Sequence, residues 1–274
     1  LGLPRKIFKD IKMPGYVLGN LKKEIVDEVG IDLKVMMCAS HDTASAFMSV
    51  PAIDDNSIFI SSGTWSLLGV ENKYAITSKE SMKENLTNEG GYDYRYRYLK
   101  NIMGLWMIQN IRKESKDENG QLPSFPDLIK LADDENEFEA YIDVDDDRFL
   151  APDSMIEEVK KACADLNQKI PQNLGQIMRC VYLSLAEDYK KAIKALEKLC
   201  NKKYSSINIV GGGSQDMYLN KTVKEVTGLD VYAGPTEGTA LGNLIAQMIE
   251  YKEIIDLSEA RKIIRNSFDI KEVK

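Results

Sequence analysis

The succession Ser40-His41-Asp42-Thr43 sets a hydroxyl, the chain's single imidazole, a carboxylate and a second hydroxyl side by side. Ahead of it runs the apolar stretch Val35-Met36-Met37-Cys38-Ala39, and behind it the small residues Ala44-Ser45-Ala46. Five apolar residues in a row predict a buried strand, and Ala44, Ala46 and Phe47 the start of a helix. Asp42 is then expected at the carboxyl end of a strand, the edge at which open α/β sheets bind their ligands. A carboxylate in that place can accept a proton from a substrate hydroxyl. Asp42 or Thr43 can equally serve only to cap the helix. A hydrolytic relay of Ser40, His41 and Asp42 is not expected, because neighbours on a strand point to opposite faces.

Two turns carry groups suited to phosphate. Residues 57–61 and 65–70 predict strands joined by Ser62-Gly63-Thr64, a hairpin whose tip offers a hydroxyl and backbone N–H groups around a glycine. Residues 206–210 predict a strand, Gly211-Gly212-Gly213 a turn, and Ser214 the cap of a helix starting near Gln215. Glycine lacks the Cβ that holds a ligand away from the backbone, and a helix amino terminus favours anions. The spacing is neither that of a P-loop nor Gly-x-Gly-x-x-Gly, so each turn taken alone also reads as an ordinary structural turn. Glu237, in Gly234-Pro235-Thr236-Glu237-Gly238, can meet a ligand or cap the helix behind it.

Composition narrows the function classes. With 274 residues, 43% hydrophobic and 29% charged, the chain has ample material for a core. Lys+Arg 36 against Asp+Glu 43 leaves a net charge of −7, and no basic run alternates with aromatics, so no nucleic-acid partner is expected. Tyr92-Asp93-Tyr94-Arg95-Tyr96-Arg97-Tyr98 reads as a half-buried strand with its tyrosines on one face. One histidine excludes a multi-histidine zinc site. Asp143-x-Asp145-x-Asp147 departs from a calcium loop at Arg148 and Ser154, where glycine and glutamate belong. No metal site built by this chain is expected. Cys38, Cys163, Cys180 and Cys200 form no Cys-x-x-Cys pair and are expected as reduced core thiols of a cytoplasmic protein. There is no leader pattern and no apolar run of about 18 residues, so no membrane span is expected. A first residue of Leu, with no recognisable beginning after it, suggests a truncated chain.

The remaining elements must position these groups. Residues 1–20 read as an extended connector, 21–29 as a short helix closed by Gly30, and 88–91 as a turn. A helix is expected over 101–113 with Trp106 in the core, and 114–153 as a solvated acidic loop. Apolar residues at three- and four-residue steps predict the longest helix over 172–200. A strand at 230–232, a small-residue helix from 240 to 249, and a charged closing helix with a frayed tail over 251–274 complete an α/β chain.

Together these stretches resemble the FGGY-type carbohydrate kinases, which have the actin-like, ribonuclease H-like fold. The resemblance is carried by residues 40–46, 61–67, 87–91, 96–106 and 209–213, and by Gly234-Pro235-Thr236-Glu237 with Leu241-Gly242-Asn243. Within the family it looks most like the subfamily acting on L-rhamnulose. That likeness implies mostly the second domain of a two-domain kinase. Residues 1–50 would be the end of the first, sugar-binding domain, 51–250 the second, ATP-binding domain, and 251–274 a closing helix and tail. It implies Asp42 as the base that takes the sugar's proton, and His41, Thr43 and Asn101 as ketose contacts. Thr64, Gln109 and Gly212 would contact ATP, with Gly211 and Gly213 shaping the turn. ATP and Mg²⁺ would be cofactors, and the amino-terminal kinase domain a missing partner. The alternatives are an FGGY kinase for another ketose, such as L-fuculose or xylulose, and a non-catalytic nucleotide-binding fragment.

Overall fold

The computed structural model describes residues 2–274. A 3₁₀ turn at Arg5–Ile7 leads to β1 (Val17–Asn20) and α1 (Lys23–Val29), which Gly30 closes in the left-handed region. β2 (Lys34–Met36) then pairs antiparallel with β1 in a two-stranded sheet apart from the main one. Two expectations fail here. β1 falls in the supposed connector, and the strand before Asp42 is short, exposed at Lys34 and Val35, and outside the main sheet. The apolar residues after β2 instead carry the chain down to α2 (Asp42–Met48), buried from Thr43 to Met48.

The main sheet starts with the expected hairpin, β3 (Ser57–Ser62) and β4 (Ser66–Asn72), in which Ser62 faces Ser66. After the short α3 (Lys79–Lys83) come β5 (Thr87–Gly90) and β6 (Tyr96–Ile102), with β6 antiparallel to both β4 and β5. Asn88-Glu89-Gly90 is therefore an edge strand rather than a turn. Arg97 holds it, donating Nε to the Gly90 carbonyl oxygen and pairing with Glu89 at 2.9 Å. Nor do the tyrosines form one strand, because a 3₁₀ turn occupies Tyr92–Tyr94. Because β6 lies between two strands and under cover, Arg97 and Tyr98 are both buried. β6 also uses Asn101 and Ile102, so the next helix, α4 (Trp106–Glu114), starts later than its pattern suggests.

The acidic region is not one solvated loop. It contains α5 (Phe125–Asp134), opened by a reciprocal Ser124–Asp127 capping box, and leads to α6 (Met155–Asp165). Asp145 of that region reaches inward, 2.9 Å from Lys100 Nζ, and accepts the Met103 N–H. Next comes α7 (Leu174–Cys200), 27 residues between an Asn173 cap and a left-handed Asn201. β7 (Ser206–Val210) follows, then α8 (Met217–Thr227), β8 (Asp230–Ala233) and α9 (Gly238–Glu250). The last elements are α10 (Leu257–Ser267) and β9 (Lys271–Glu272). The tail is not frayed: β9 pairs with β8, and Val273 is fully buried. No described helix is long and apolar enough to cross a membrane.

Strand order in the main sheet is β5-β6-β4-β3-β7-β8-β9. β3, β7 and β8 run parallel, with Ser61 beside Val210 and Ile209 beside Ala233, so their carboxyl ends share one edge. One sheet face packs on α7 in a cluster containing Ile58, Ile60, Leu68, Val181 and Leu185. The other receives α2, where Phe47 meets Phe59 edge-on at 5.3 Å.

α2 rests in turn on α9. Met48, Ile245 and Ala246 form their apolar contact. At Gly242 a Cβ would collide with the carbonyl oxygen of Ser45, so this helix pair needs glycine there. Gly242→Ala should therefore cost ~1–3 kcal/mol through overpacking, read as a lowered midpoint in thermal unfolding. A variant as stable as the parent would show that the helices separate freely.

Asp216, and not Ser214, caps α8: it accepts the N–H of Leu219 and the hydroxyl of Tyr182. Burial pushes its carboxyl group above the usual range, against the pull of these hydrogen bonds. The folded state thus holds this proton to higher pH than the unfolded chain, whose aspartates titrate near 3.9. That contribution to stability is full below about pH 3.9 and declines as pH rises through the raised value. In urea unfolding across pH, Asp216→Asn should gain on the parent as pH climbs from about 3. A stability difference that is flat in pH would contradict this.

Candidate active site

Three connections leave the shared carboxyl edge of β3, β7 and β8. They are the hairpin tip at Gly63–Trp65, the glycine turn after β7, and the Gly234–Glu237 loop after β8. A cavity of ≈ 680 Å³ opens among them. Thr64, Gly211 and Gly212 line it, together with Glu237, Thr239 and Asn101. Asn101 arrives because β6 runs antiparallel to β4, bringing Ile102 opposite Ser66 at the base of the hairpin. His41, Asp42 and Thr43 line the same cavity, delivered by α2 rather than by a strand. Gln109 lies on α4 and Gly213 beneath its turn, and neither is part of the cavity wall.

α9 holds the amino end of α2 at this cavity. Thr239, in the first turn of α9, donates its hydroxyl to the Asp42 carbonyl oxygen at 3.2 Å. Asp42 is the first residue of α2, and His41 is its cap. Asp42 Oδ1 accepts the Thr43 N–H at 2.7 Å and lies 3.0 Å from His41 Nδ1. The Thr43 N–H is also 3.2 Å from His41 Nδ1, which cannot accept there while donating to Asp42. The bond to the carboxylate is the shorter of the two, and every polar contact made by the Asp42 side chain uses Oδ1. Its side chain remains 75% exposed, and among the described residues no hydrogen bond is made to Oδ2. Ser40 does not engage His41; its hydroxyl is spent on the Cys38 carbonyl oxygen. No relay forms, although the reason is this turn and not strand alternation.

The three glycines differ in kind. Gly211 has φ +88°, and a Cβ on it would press the Ser62 carbonyl oxygen at 2.7 Å. A Cβ on Gly213 would strike the Ser62 side chain. Both are needed so that the glycine turn can lie on the end of β3. Gly212 has nothing within 4 Å of where a Cβ would stand, and it faces the cavity. Packing does not demand glycine there. The turn continues as a 3₁₀ segment, Gly212–Gln215, so it does not feed an α-helix directly.

The hairpin tip is fixed from behind. The carbonyl oxygens of Gly63 and Thr64 accept the N–H groups of Leu105 and Trp106 at the start of α4. Below it, the Ser66 hydroxyl bonds to Tyr189 of α7. Burial pulls the Lys100 ammonium down, but Asp145 and Asp188 more than reverse this. The Asp188 carboxyl is pushed up by burial, with Lys100 opposing. This ion cluster locks β6 to α7 one residue from Asn101.

The cavity contains two carboxylates, Asp42 and Glu237, and no lysine or arginine among its lining residues. Glu237 holds the N-cap position of α9 without a side-chain capping bond, and it also lines the cavity. Among the described residues no group of three or more acidic, histidine or cysteine side chains could hold a metal by itself. Magnesium keeps several waters and needs only one or two carboxylates beside substrate phosphates. The two carboxylates and the hydroxyls of this cavity fit an ion that enters on a nucleotide.

Comparison with known proteins identifies the family. Residues 58–251 match the carboxy-terminal domain of the FGGY family of carbohydrate kinases. A rhamnulokinase of Oceanobacillus iheyensis is 47% identical over 270 residues, spanning 98% of this chain and 56% of its own length. The rhamnulokinase of Bacillus subtilis is 42% identical over 265 residues, spanning 96% and 54%. The chain thus spans a little over half the length of the curated relatives it matches. Among solved structures, a gluconate kinase from Lactobacillus acidophilus superposes with TM-score 0.67 at 16% identity, covering 96% of this chain and 51% of that one. Plasmodium falciparum glycerol kinase with ADP gives 0.70 at 13%, with the same two shares. At these identities the structures speak for the fold, a mixed sheet with helices consistent with the actin-like ATPases. The chain belongs to the FGGY family of carbohydrate kinases, and its matched part is that family's carboxy-terminal domain.

Proposed function

We propose that this chain is the carboxy-terminal part of an ATP-dependent kinase that phosphorylates the 1-hydroxyl of L-rhamnulose. The observation that carries the reading is the convergence of Asp42, Thr64 and Gly212 on one cavity. Asp42 takes the proton from the sugar hydroxyl as the sugar oxygen attacks the γ-phosphorus of ATP, and the bond from that phosphorus to the β–γ bridging oxygen breaks so that ADP leaves. His41, Thr43 and Asn101 hold the ketose. The Thr64 hydroxyl and the backbone at Gly212 hold the nucleotide phosphates, with Gly211 and Gly213 shaping the turn. Gln109 has no cavity contact and receives no role. Phosphoryl transfer asks mainly for positioning and for neutralisation of charge. Magnesium bound to the phosphates would supply neutralisation, with Asp42 and Glu237 as the residues able to hold its shell.

The choice of L-rhamnulose rests on the names of the relatives at 47% and 42% identity. A cavity without lysine or arginine supports a further element of the reading: residues 1–50 end the first of two domains, and the other part of that domain helps close the site. The chain alone is then expected to bind ATP weakly and to transfer little.

Two variants test the assignment. Gly212→Val should fold as the parent does, because its side chain enters open space, yet lose most nucleotide affinity in a calorimetric titration. Nucleotide binding unchanged by that valine would remove the glycine turn from the site. Asp42→Asn should bind nucleotide as the parent does. In a protein of the relatives' full length, the same change should lower transfer by about 10²–10⁴-fold. Loss of nucleotide binding in Asp42→Asn would make Asp42 structural. A ketose panel on that full-length protein should favour L-rhamnulose; preference for L-fuculose or xylulose would reassign the substrate, and no transfer to any would leave a nucleotide-binding module.

A further inference from the structure

The chain has two tryptophans, and the fold uses them differently. Trp106 packs against the main core and donates its indole N–H to the Phe149 carbonyl oxygen at 3.0 Å. Trp65, at the hairpin tip, belongs to none of the three apolar clusters and is 43% exposed. It lines the cavity of Asp42. Among the described residues of that lining, only Trp65 and Leu67 carry large apolar side chains. The others are hydroxyls, glycines, the two carboxylates, one amide and one imidazole.

Strand alternation sets the side that the indole serves. Ser66 and Leu68 of β4 turn toward α7, where Ser66 bonds to Tyr189 and Leu68 joins the main core. Leu67 turns the other way, onto the cluster that contains Phe47 of α2. Trp65 precedes Leu67 by two residues and falls on that same side. Asn101 stands opposite Leu67 across the pair of β4 and β6. Trp65, Leu67 and Asn101 therefore share one wall, on the side from which α2 presents His41, Asp42 and Thr43. In the kinase reading these polar neighbours are the ketose contacts.

L-Rhamnulose is 6-deoxy-L-fructose: its C1 hydroxyl is the acceptor, and its C6 is a methyl group. A methyl finds no match among hydroxyls and carboxylates. An indole offers it a broad apolar face, with an N–H at the edge for a neighbouring hydroxyl. We propose that Trp65, backed by Leu67, is a specificity-determining residue that contacts the C6 methyl and selects 6-deoxyketoses over ketoses hydroxylated at C6. The inference rests on the kinase reading and deepens it, because it ties the choice of sugar to a side chain of this cavity.

The probes are L-rhamnulose and L-fructose, which differ only in the C6 hydroxyl, given with ATP to a protein of the relatives' full length. The parent should favour L-rhamnulose in kcat/KM by about tenfold or more, the range that one small group commands in an apolar pocket. Trp65→Ala should bring that ratio close to one, and Trp65→Phe should keep most of it. Trp65→Gln, whose amide can bond to a C6 hydroxyl, should move the ratio toward L-fructose and reads it independently of how the alanine variant folds. General damage to the hairpin tip would lower both sugars alike and leave the ratio where it was. A parent indifferent to the C6 hydroxyl, or a ratio unchanged in both Trp65→Ala and Trp65→Gln, would overturn the proposal and leave the kinase reading standing. A parent that phosphorylates no ketose would overturn the reading and the proposal together.

Discussion

At the crossing of α2 and α9 a carbonyl oxygen of one helix meets a position on the other that has room for hydrogen alone. Ser45 and Gly242 make that contact, nearly two hundred residues apart in the chain, and it fixes where the amino end of α2 can be. Asp42 is the first residue of that end, and Thr239 bonds to its carbonyl oxygen from the neighbouring helix. The loop before α9 comes from the carboxyl end of β8, the edge from which the hairpin tip and the glycine turn also emerge. This helix contact therefore ties the acid to the sheet edge that carries the hairpin tip and the glycine turn. It works together with the seat of Phe47 on Phe59 of β3, because the amino-terminal two-stranded sheet has no hydrogen bonds to the main one.

The turns themselves are held by the same close-packing logic. Gly211 and Gly213 let their segment lie against Ser62, which ends β3, so hairpin and glycine turn form one block. Behind it stand Tyr189, which bonds to Ser66, and the ion cluster of Lys100, Asp145 and Asp188. Hydroxyls, backbone and two carboxylates face the cavity, while the charged groups of the scaffold stay behind the sheet. On the proposed assignment, the nucleotide phosphates would be positioned by dipoles, and the balance of charge would be completed by what binds with them.

Periodicity made the scaffold readable. β3, β4 and β7 are short apolar runs between turn residues, and α7 repeats its apolar stripe over about seven turns. Part of the cavity wall was also legible, not because Ser-His-Asp-Thr, Ser-Gly-Thr or the glycine triplet is unusual alone but because the three occur together; Thr239, which lines the same cavity, carried no such signal. What local pattern did not carry was tertiary. Asn88-Glu89-Gly90 has turn composition, and it is a strand because the buried Arg97 reaches across to Glu89 and Gly90. β6 extends over Asn101 and Ile102 because β4 offers partners, so helix-like spacing misled the start of α4. Val35–Ala39 looked like a sheet strand, yet its neighbour is β1, a four-residue strand with a glycine at its centre that gives almost no sequence signal. Asp216 took the capping role expected of Ser214 because the 3₁₀ segment shifts the start of α8 by two residues.

The most direct measurement is a crystal structure of this chain with a non-hydrolysable ATP analogue and magnesium. Its phosphates should lie between Thr64 and Gly212, with the terminal one turned toward Asp42 Oδ2. A nucleotide bound elsewhere, or an Asp42 carboxylate directed away from the terminal phosphate, would contradict the assignment of this cavity as the place of transfer.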